Sequence, residues 1–433
     1  MITQIEPKRQ IRTHRAQEAV ILSHPSRVLN AYQAALAFQE KGLLRSFETG
    51  IYYKENSISR SILSLLPPRI AARIRRELER RVDPALQPGR IQPHPFWDLI
   101  STLSGRIALP ASIPKKLMSW RNERFDQAVA RRVLKERPAA VYCYDTAALR
   151  TFKACERTGT IKLLEQVIGH CKVGFEVLAQ ESELQPDFAD SMEEHESKSR
   201  IEHTTEEVLS ADYVFAPSDY VKQTLLSIGC PAERIITLPY GVDTQKFVPA
   251  ATRPPRPFRI LFAGQITQRK GIKYLLEAYK HLSLPDAELI LLGTIVGSGK
   301  GLHPYEGLFK HQPSVPHAQV REYFQQADIL VFPSIHEGSA LVVYEALACG
   351  LPVITTPNAG SIVRDGEEGF IVPIRDIAAL EDTILRLYKN PELRLQMAQR
   401  ARQRAEQFTW TTYRSKLADT IEKLIEQRQG REG

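Results

Sequence analysis

The sequence predicts an α/β protein in which two domains each carry a parallel β-sheet. Apolar, strand-like runs alternate with helix-like segments in both halves of the chain, which is the rhythm of βαβ units. A segment with four prolines, residues 247–257, separates the halves and is too stiff to join a sheet. We therefore expect a first domain over residues 1–246, a second over 258–407 and a terminal helical segment over 408–433.

Length and composition are those of an ordinary globular protein with more than one domain. The chain has 433 residues, of which 43% are hydrophobic and 25% charged, whereas one domain typically takes about 150 residues. No apolar run reaches the roughly 18 residues of a membrane span. The N-terminal residues also lack the apolar stretch of a secretory signal, so we expect a cytoplasmic protein.

The cysteines indicate free thiols and no metal site. They are odd in number and scattered, and no two have the close spacing of metal ligands. We expect buried, reduced side chains in a reducing compartment. The five are Cys143, Cys155, Cys171, Cys230 and Cys349.

Positive charge is concentrated at the start of the chain. Residues 1–137 contain 25 Lys and Arg against 12 Asp and Glu, a net of +13, so the rest must sum to −5 to give the total of +8. The excess peaks in residues 69–81, a predicted helix with an apolar stripe at Ile70, Ile74 and Leu78. Such a helix can lie on an anionic membrane surface, or it can pack its stripe on its own domain. Both interpretations stay open, the first implying a protein peripheral to the inner face of a membrane.

The first domain begins with a strand, residues 19–23, and a helix, residues 27–41, which we expect Ser26 to cap and Gly42 to end. Residues 54–137 lack the strand–helix rhythm and predict several helices broken at prolines, a helical insertion. Strands return at residues 140–144 and 161–167.

His170 follows the second of these strands at its carboxyl end. That is where parallel sheets place site residues. The alternative is a histidine that caps a helix or is satisfied within its loop. From the residues alone, both remain open.

In the second domain, Arg269 and Lys270 stand between a strand ending at Gly264 and a helix over residues 271–282. Cations at a helix start are unfavourable against the helix dipole. Their position therefore indicates an anionic ligand, a diphosphate being the group that a guanidinium and an ammonium would neutralise together. Two solvated charges are the alternative.

The most informative stretch is residues 328–361. It predicts a strand at 329–332, a helix at 341–349 and a second strand at 353–355, which together form one βαβ unit. The start of such a helix offers unpaired N–H groups and a partial positive charge to a phosphate. These N–H groups belong to Gly338, Ser339, Ala340 and Leu341.

Glu337 and Glu345 flank these amides. Glu337 lies in the turn before the helix, and Glu345 lies one turn inside it on the face of Leu341. A nucleotide sugar has a matching layout, so Glu337 could bind sugar hydroxyls and Glu345 a ribose diol, with the amides holding the diphosphate between them. The alternative is two ordinary carboxylates, but this helix is apolar almost all round, and a buried glutamate needs a partner.

The run PSIHEGSALVVYEALACGLPVI, followed by NAGS and DGEEGFIVP, resembles the donor-site signature of the retaining glycosyltransferases of family 4. The resemblance covers about 190 residues from Asp212 onward. Members usually have Phe-Gly where this chain has Ser339 and Ala340, which keeps the backbone amides but not the side chains. Many members also have a glycine-rich turn where this chain has His24, Pro25, Ser26 and Arg27, so whether that loop contacts the diphosphate stays open.

The resemblance implies the GT-B fold: two Rossmann-like domains facing a cleft, with the terminal segment crossing back to the first. It implies metal-independent, retaining transfer of a sugar from a nucleoside-diphosphate sugar to a hydroxyl of a carbohydrate or lipid-linked acceptor, as in polysaccharide or glycolipid assembly. No cofactor is implied. The residues assigned to catalysis are His170, Arg269, Lys270 and Glu337, and those assigned to donor binding are Gly264, Gly338, Ser339, Ala340, Leu341 and Glu345.

Other functions remain possible on the same fold. A nucleotide-sugar epimerase would use the same donor site, whereas a non-catalytic basic scaffold would bind a membrane surface through residues 1–137. Zinc spacing and aromatic–basic motifs are absent from the sequence, which disfavours nucleic acid. A P-loop is also absent, which excludes ATP hydrolysis of that type. Incubation with nucleotide sugars would separate a transferase, through slow donor hydrolysis, from a scaffold.

Overall fold

The computed structural model describes residues 18–52, 72, 82–95, 112–192, 198–251 and 256–432. The predicted basic helix at residues 69–81, apart from Ala72, lies outside this part of the chain. Much of the predicted insertion and part of the proline-rich segment lie outside it too. Membrane association through the basic helix therefore stays a prediction.

The first sheet has seven strands in the order β3-β2-β1-β4-β5-β6-β7. Its recorded pairings are parallel, as in β1 against β2 and β4. The inner strands are built of Val, Ile, Leu and Tyr and are buried on both faces, as expected for a parallel sheet covered by helices. The strands are β1 Val20–His24, β2 Leu44–Thr49, β3 Ile91–Pro93, β4 Ala140–Tyr144, β5 Ile161–Glu165, β6 Tyr213–Ala216 and β7 Ile235–Thr237.

Helices alternate with these strands. Helix α6 starts at Ser218, whose hydroxyl accepts a hydrogen bond from the Val221 N–H at 3.2 Å, and α1 is followed by Gly42 in the left-handed conformation. The helices are α1 Leu29–Glu40, α2 Ser112–Glu136, α3 Leu149–Glu156, α4 Cys171–Leu184, α5 Lys198–Ser210 and α6 Asp219–Ser227.

The second sheet has six parallel strands in the order β10-β9-β8-β11-β12-β13. Its strands are β8 Phe258–Ala263, β9 Ala287–Leu292, β10 Phe309–Gln312, β11 Ile329–Phe332, β12 Val353–Thr355 and β13 Gly369–Ile371. Its helices are α7 Ile272–Leu282, α8 His317–Gln326, α9 Leu341–Ala348, α10 Ile377–Lys389 and α11 Pro391–Gln407, and the chain ends with α12 Trp410–Glu432. The strand order reverses between β8 and β11, which makes their carboxyl ends the expected ligand position.

By spatial grouping, the described chain forms two compact units. The first comprises Met1–Glu165, His203–Phe215 and Arg414–Gly433, and the second comprises Gln166–Glu202 and Ala216–Tyr413. Within the first unit the end of the chain packs on α1, because Arg414 Nε donates to Glu40 and Lys41 Nζ lies 2.9 Å from Asp419. The domain boundaries predicted from sequence stay predictions.

Several elements differ from the expectation. Helix α1 starts at Leu29 and has no side-chain cap, because the turn before it is closed by the Ser26 N–H, which donates to Nδ1 of His24 at 3.0 Å. The acid-rich sequence of residues 188–209 predicts one helix, whereas the structure has a short 3₁₀ segment, Pro186–Met192, and then α5 from Lys198. Strand β3 lies inside the predicted helical insertion. All five cysteines are free, and only Cys171 is not fully buried.

Among the described helices, none combines the length and the apolar character that a membrane crossing requires.

Candidate active site

A cavity of about 450 Å³ opens at the carboxyl ends of β8, β9 and β11, the point where the strand order of the second sheet reverses. It is large enough for a substantial part of a nucleotide-sized ligand. Seven residues assigned from sequence line it: Gly264, Lys270, Glu337, Ser339, Ala340, Leu341 and Glu345. Arg269, Gly338 and His170 are not among the lining residues.

Lys270, Arg269 and Glu337 form one charged cluster at the cavity wall. The Glu337 carboxylate lies 3.3 Å from Lys270 Nζ and 3.1 Å from Arg269 Nη1. Arg269 also donates to the carbonyl of His336 at 2.9 Å. The Lys270 ammonium stands over the Phe332 ring, 4.9 Å from its centre. Two cations are therefore held at the cavity against one carboxylate, which leaves one positive charge for an anion.

Burial and the neighbouring charges together set the protonation states of Lys270 and Glu337. Burial lowers the pKa of the Lys270 ammonium, although Glu337 works in the opposite direction. Burial alone would raise the pKa of Glu337, but the charges of Lys270 and Arg269 outweigh it and hold that pKa below its usual value. Glu337 is therefore an acceptor-only carboxylate at neutral pH, suited to binding hydroxyl groups.

The turn that carries the two cations is held by the segment before α5. The Thr267 hydroxyl donates to the carbonyl of Ser191 at 2.6 Å, and the Gln268 N–H donates to the Ser191 hydroxyl at 3.0 Å. The Gln268 side chain also accepts from the Lys273 N–H at 2.9 Å, which caps the start of α7. The positions of Arg269 and Lys270 are thereby fixed before any ligand binds.

A fully buried carboxylate, Glu181, supports this turn from α4. Its oxygens accept hydrogen bonds from Gln268 Nε2 and the Tyr274 hydroxyl, each at 2.8 Å, and from Arg375 Nε at 2.6 Å. The ion pair with Arg375 compensates the negative charge of Glu181, which burial would otherwise leave without a partner. Sequence reasoning missed this group, because nothing in the local pattern links residues so far apart in the chain.

Gly264 keeps room for the Lys270 ammonium. Its φ of +142° is one that side-chain-bearing residues rarely adopt, and a Cβ there would lie 3.1 Å from Lys270 Nζ. The glycine at the end of β8 therefore keeps open the position that the cation occupies.

The start of α9 approaches another backbone segment closely. A Cβ on Gly338 would lie 1.9 Å from the carbonyl oxygen of Val167, so no side chain fits. The Gly338 carbonyl accepts from the Ser218 hydroxyl at 2.6 Å. The Ala340 N–H donates to the Ala359 carbonyl at 3.1 Å, so the prediction that this amide faces an anion is corrected. Ala340 still lines the cavity.

Glu345 also lines the cavity and has a partner. Its carboxylate accepts from Nε2 of His317 at 2.6 Å. His317 begins α8 and lines the cavity as well. Sequence analysis gave His317 no role, since a histidine after Pro316 carries no pattern of its own.

His170 takes the N-cap position of α4. Its ring Nδ1 accepts from the Lys172 N–H at 3.3 Å, and its backbone N–H donates to the Thr224 hydroxyl at 2.9 Å. The neighbouring Gly169 N–H donates to the Glu337 carbonyl at 3.2 Å. The loop of His170 therefore contacts the turn of Glu337, and one nitrogen of the His170 ring caps a helix. Its catalytic assignment stays a prediction.

His336, which sequence analysis did not single out, is packed beneath this turn. Its Nδ1 lies 2.6 Å from the Tyr220 hydroxyl, and its ring occupies the space that a Cβ on Gly174 would need. Burial, together with the nearby Arg269 guanidinium, lowers the pKa of His336 to about 4. The ring is therefore neutral at physiological pH.

We expect His336 to make the protein sensitive to acid. The pKa is about 4 in the folded chain and about 6.5 when unfolded, so the unfolded state binds the proton first as pH falls. The neutral His336 ring therefore contributes about 3 kcal/mol to the stability of the folded state. This contribution is complete above about pH 6.5 and is lost as the pH falls towards 4. Melting temperatures from pH 7 to 4.5 should fall less for His336→Gln than for the unsubstituted protein. The exposed His281→Ala is the control, and parallel pH curves for His336→Gln would contradict this account.

Within the described residues, no group of three or more His, Cys, Asp or Glu side chains is arranged to hold a metal ion. Independence from metal remains a prediction.

The family comparison matches the second sheet and its helices. Residues 243–404 match the family of glycosyl transferases group 1. Over these residues the chain is similar to that family.

Curated proteins that resemble this part of the chain agree with the match. A D-inositol 3-phosphate glycosyltransferase of Paenarthrobacter aurescens is 32% identical over 204 residues, which cover 42% of this chain and 50% of that protein. An enzyme of the same name from Streptomyces avermitilis is 34% identical over 206 residues, covering 41% and 44%. The chain thus spans about half the length of the curated relatives it matches.

Solved structures extend the likeness to nearly the full length of the chain. Sucrose-phosphate synthase from Thermosynechococcus elongatus aligns with a TM-score of 0.66 at 18% identity, covering 94% of this chain and 99% of that one. Anabaena HepE in complex with UDP-glucose aligns with a TM-score of 0.59 at 15% identity, covering 93% and 98%. Likeness at such identity shows the fold alone. The fold is GT-B, with two parallel, Rossmann-like sheets.

Proposed function

We propose that this protein transfers a sugar from a nucleoside-diphosphate sugar to an acceptor hydroxyl and retains the anomeric configuration. The observation that carries the proposal is the cavity at the reversal point of the second sheet, which Lys270, Glu337 and Glu345 line together. A cation beside a helix start suits a diphosphate, and carboxylates on both sides suit hydroxylated groups.

In this proposal Lys270 and Arg269 stabilise the departing diphosphate. The bond between the anomeric carbon and the β-phosphate oxygen breaks, and its electron pair goes to that oxygen. The acceptor oxygen attacks the face that the leaving group vacates, and its proton passes to the β-phosphate oxygen. The cations are already positioned by the Thr267–Gln268 turn, so little reorganisation is needed as negative charge develops.

The acceptor is proposed to be a carbohydrate or a lipid-linked sugar, as in polysaccharide or glycolipid assembly. An inositol phosphate is a related candidate, because the curated relatives are named for it. Retention is tested by following the anomeric proton of donor and product by NMR, once an acceptor has been found.

The first experiment is a donor panel. The protein is incubated with UDP-glucose, UDP-galactose, UDP-N-acetylglucosamine, GDP-mannose and ADP-glucose, and release of nucleoside diphosphate is followed together with thermal shift. We expect one donor to raise the melting temperature and to be hydrolysed slowly. A ligand at 100 times its Kd should add about 2.7 kcal/mol to stability. A donor that is bound and converted only to its epimer would indicate an epimerase, and binding of no donor would contradict the proposal.

The two glutamates of the cavity should give different kinetic defects. Glu345→Gln keeps the shape but weakens charge-assisted hydrogen bonds to a ribose diol, each contributing about 1.5–3 kcal/mol. The donor KM should therefore rise much more than kcat falls. Glu337→Gln, beside the reacting sugar, should mainly lower kcat.

Glu381→Gln, outside the cavity lining, is the matched control and should change neither constant. If both cavity variants lose only kcat, the nucleotide lies in the opposite direction along α9. If Glu345→Gln unfolds the protein, Glu345 is a buried structural partner instead.

A further inference from the structure

His317 is the first residue of α8 and lines the cavity. It contacts both α9 and the segment of Lys246 and Phe247. Its Nε2 lies 2.6 Å from Glu345 Oε1 on α9, and its Nδ1 lies 2.8 Å from Lys246 Nζ. The ring also packs edge-on against Phe247, with the ring centres 5.4 Å apart. The imidazole is thus held through both nitrogens and one edge, although half of it is exposed.

These contacts determine which ring nitrogen carries the proton. A lysine ammonium can only donate hydrogen bonds, so Nδ1 of His317 is the acceptor of the Lys246 contact. The proton of the neutral ring is then on Nε2, which donates to the carboxylate of Glu345. A doubly protonated ring could not accept from Lys246. The three side chains therefore form one directed chain of hydrogen bonds, from Lys246 through His317 to Glu345.

We propose that His317 is a positioning residue that orients the Glu345 carboxylate for recognition of the ribose in a nucleoside diphosphate. This inference rests on the proposed function. With Oε1 fixed by His317, the carboxylate plane is set, and Oε2 and the second lone pair of Oε1 are directed to the diol. Lys246 contributes by fixing the tautomer. Orientation of an acceptor by a second hydrogen bond is the same device that fixes metal-bound histidines.

Nucleotide binding to variants of His317 tests this proposal. UDP, ADP and GDP are each measured by calorimetry, beside their 2′-deoxy counterparts. For the ribonucleotide that binds most tightly, His317→Ala should raise Kd about tenfold, which is the scale of one hydrogen bond to a charged group. Its 2′-deoxy counterpart should change less than about twofold, since one of the two hydroxyls to be recognised is missing. His317→Gln, whose amide can still donate, should restore most of the affinity.

A matched control is available in His281. It is exposed to the same extent as His317 and pairs with Glu381 at 2.7 Å, but it does not line the cavity. His281→Ala should leave both affinities unchanged. In a Glu345→Ala background, replacement of His317 should have no further effect, because in this proposal His317 acts on the ligand through Glu345.

The tautomer gives a readout that does not depend on the ligand. Nitrogen-15 NMR of the imidazole should show His317 protonated at Nε2, and Lys246→Met should allow the other tautomer to appear. Equal ribonucleotide affinity for His317→Ala and the unsubstituted protein, or a proton on Nδ1, would overturn the inference. If the unsubstituted protein binds none of the three diphosphates, the proposed function fails, and this inference fails with it.

Discussion

Replacement of Lys270 with alanine is expected to lower turnover by about 10²-fold or more, the effect of removing one preorganised charge at a developing anion. The Lys270 ammonium lines the cavity and lies 3.3 Å from Glu337. In the proposed reaction it neutralises the diphosphate as the sugar departs. Arg269 remains beside Glu337 at 3.1 Å, so that carboxylate keeps a partner and the melting temperature should hardly change. Steady-state donor hydrolysis or transfer measures the effect.

Lys273→Ala is the control for this experiment. Lys273 carries the same charge one turn later on α7, and the hydrogen bond it makes to Gln268 uses its backbone N–H, which alanine retains. It should leave turnover near normal. If Lys270→Ala turns over at close to the unsubstituted rate, Lys270 does not belong to the reacting site.

Replacement of Arg375 with alanine is expected to destabilise the second unit by about 3 kcal/mol, the lower end of the cost of stranding a buried charge. Glu181 is fully buried and loses the partner that lies 2.6 Å from its carboxylate. The lower end applies because the Arg375 side chain is itself partly exposed. Urea unfolding followed by tryptophan fluorescence and by hydrogen exchange in α4 measures the loss.

The matched variant removes both charges. Glu181→Gln combined with Arg375→Met leaves no uncompensated ion, and the glutamine can still bond to Gln268 and Tyr274. This double variant should be more stable than Arg375→Ala alone. If Arg375→Ala unfolds at the same urea concentration as the unsubstituted protein, the ion pair contributes little to the stability of the second unit.

The central βαβ unit could be predicted from sequence almost to the residue. Strands β11 and β12 have the predicted bounds, and α9 ends one residue before the prediction. The reason is physical: both strands are fully buried apolar runs, and Gly350 ends the helix in the left-handed conformation. Where local pattern and global packing agree, the local pattern is sufficient.

Two of the edge strands, β3 and β10, could not be predicted in the same way. Strand β10 reads Phe-Lys-His-Gln and β3 reads Ile-Gln-Pro, and neither has an apolar run. Each forms because a neighbouring strand offers a free edge, as β9 does for β10, and a single-sequence pattern does not contain that edge.

The same difference between local sequence pattern and tertiary packing applies to the residues of the site. The residues that line the cavity lie within a few positions of strand ends or a helix start, where sequence patterns are informative. The partners that fix these residues or their chain neighbours come from remote segments: Glu181 for Gln268, His317 for Glu345 and Val167 for Gly338. Only tertiary packing brings these pairs together.

The close approach of Gly338 to Val167 has a consequence for dissecting the protein. A fragment over residues 258–407 would contain both sheet-end glutamates and both cations, yet the carbonyl against which Gly338 packs lies outside it. The Ser218 hydroxyl and the Glu181 carboxylate would be missing as well. Such a fragment would expose Arg375 and Gln268 to water, and the loop before α9 would lose the surface that shapes it. The second sheet with its helices is therefore not an independent unit, and exchanging it between related chains would require residues 166–202 and 216–251 to be exchanged with it.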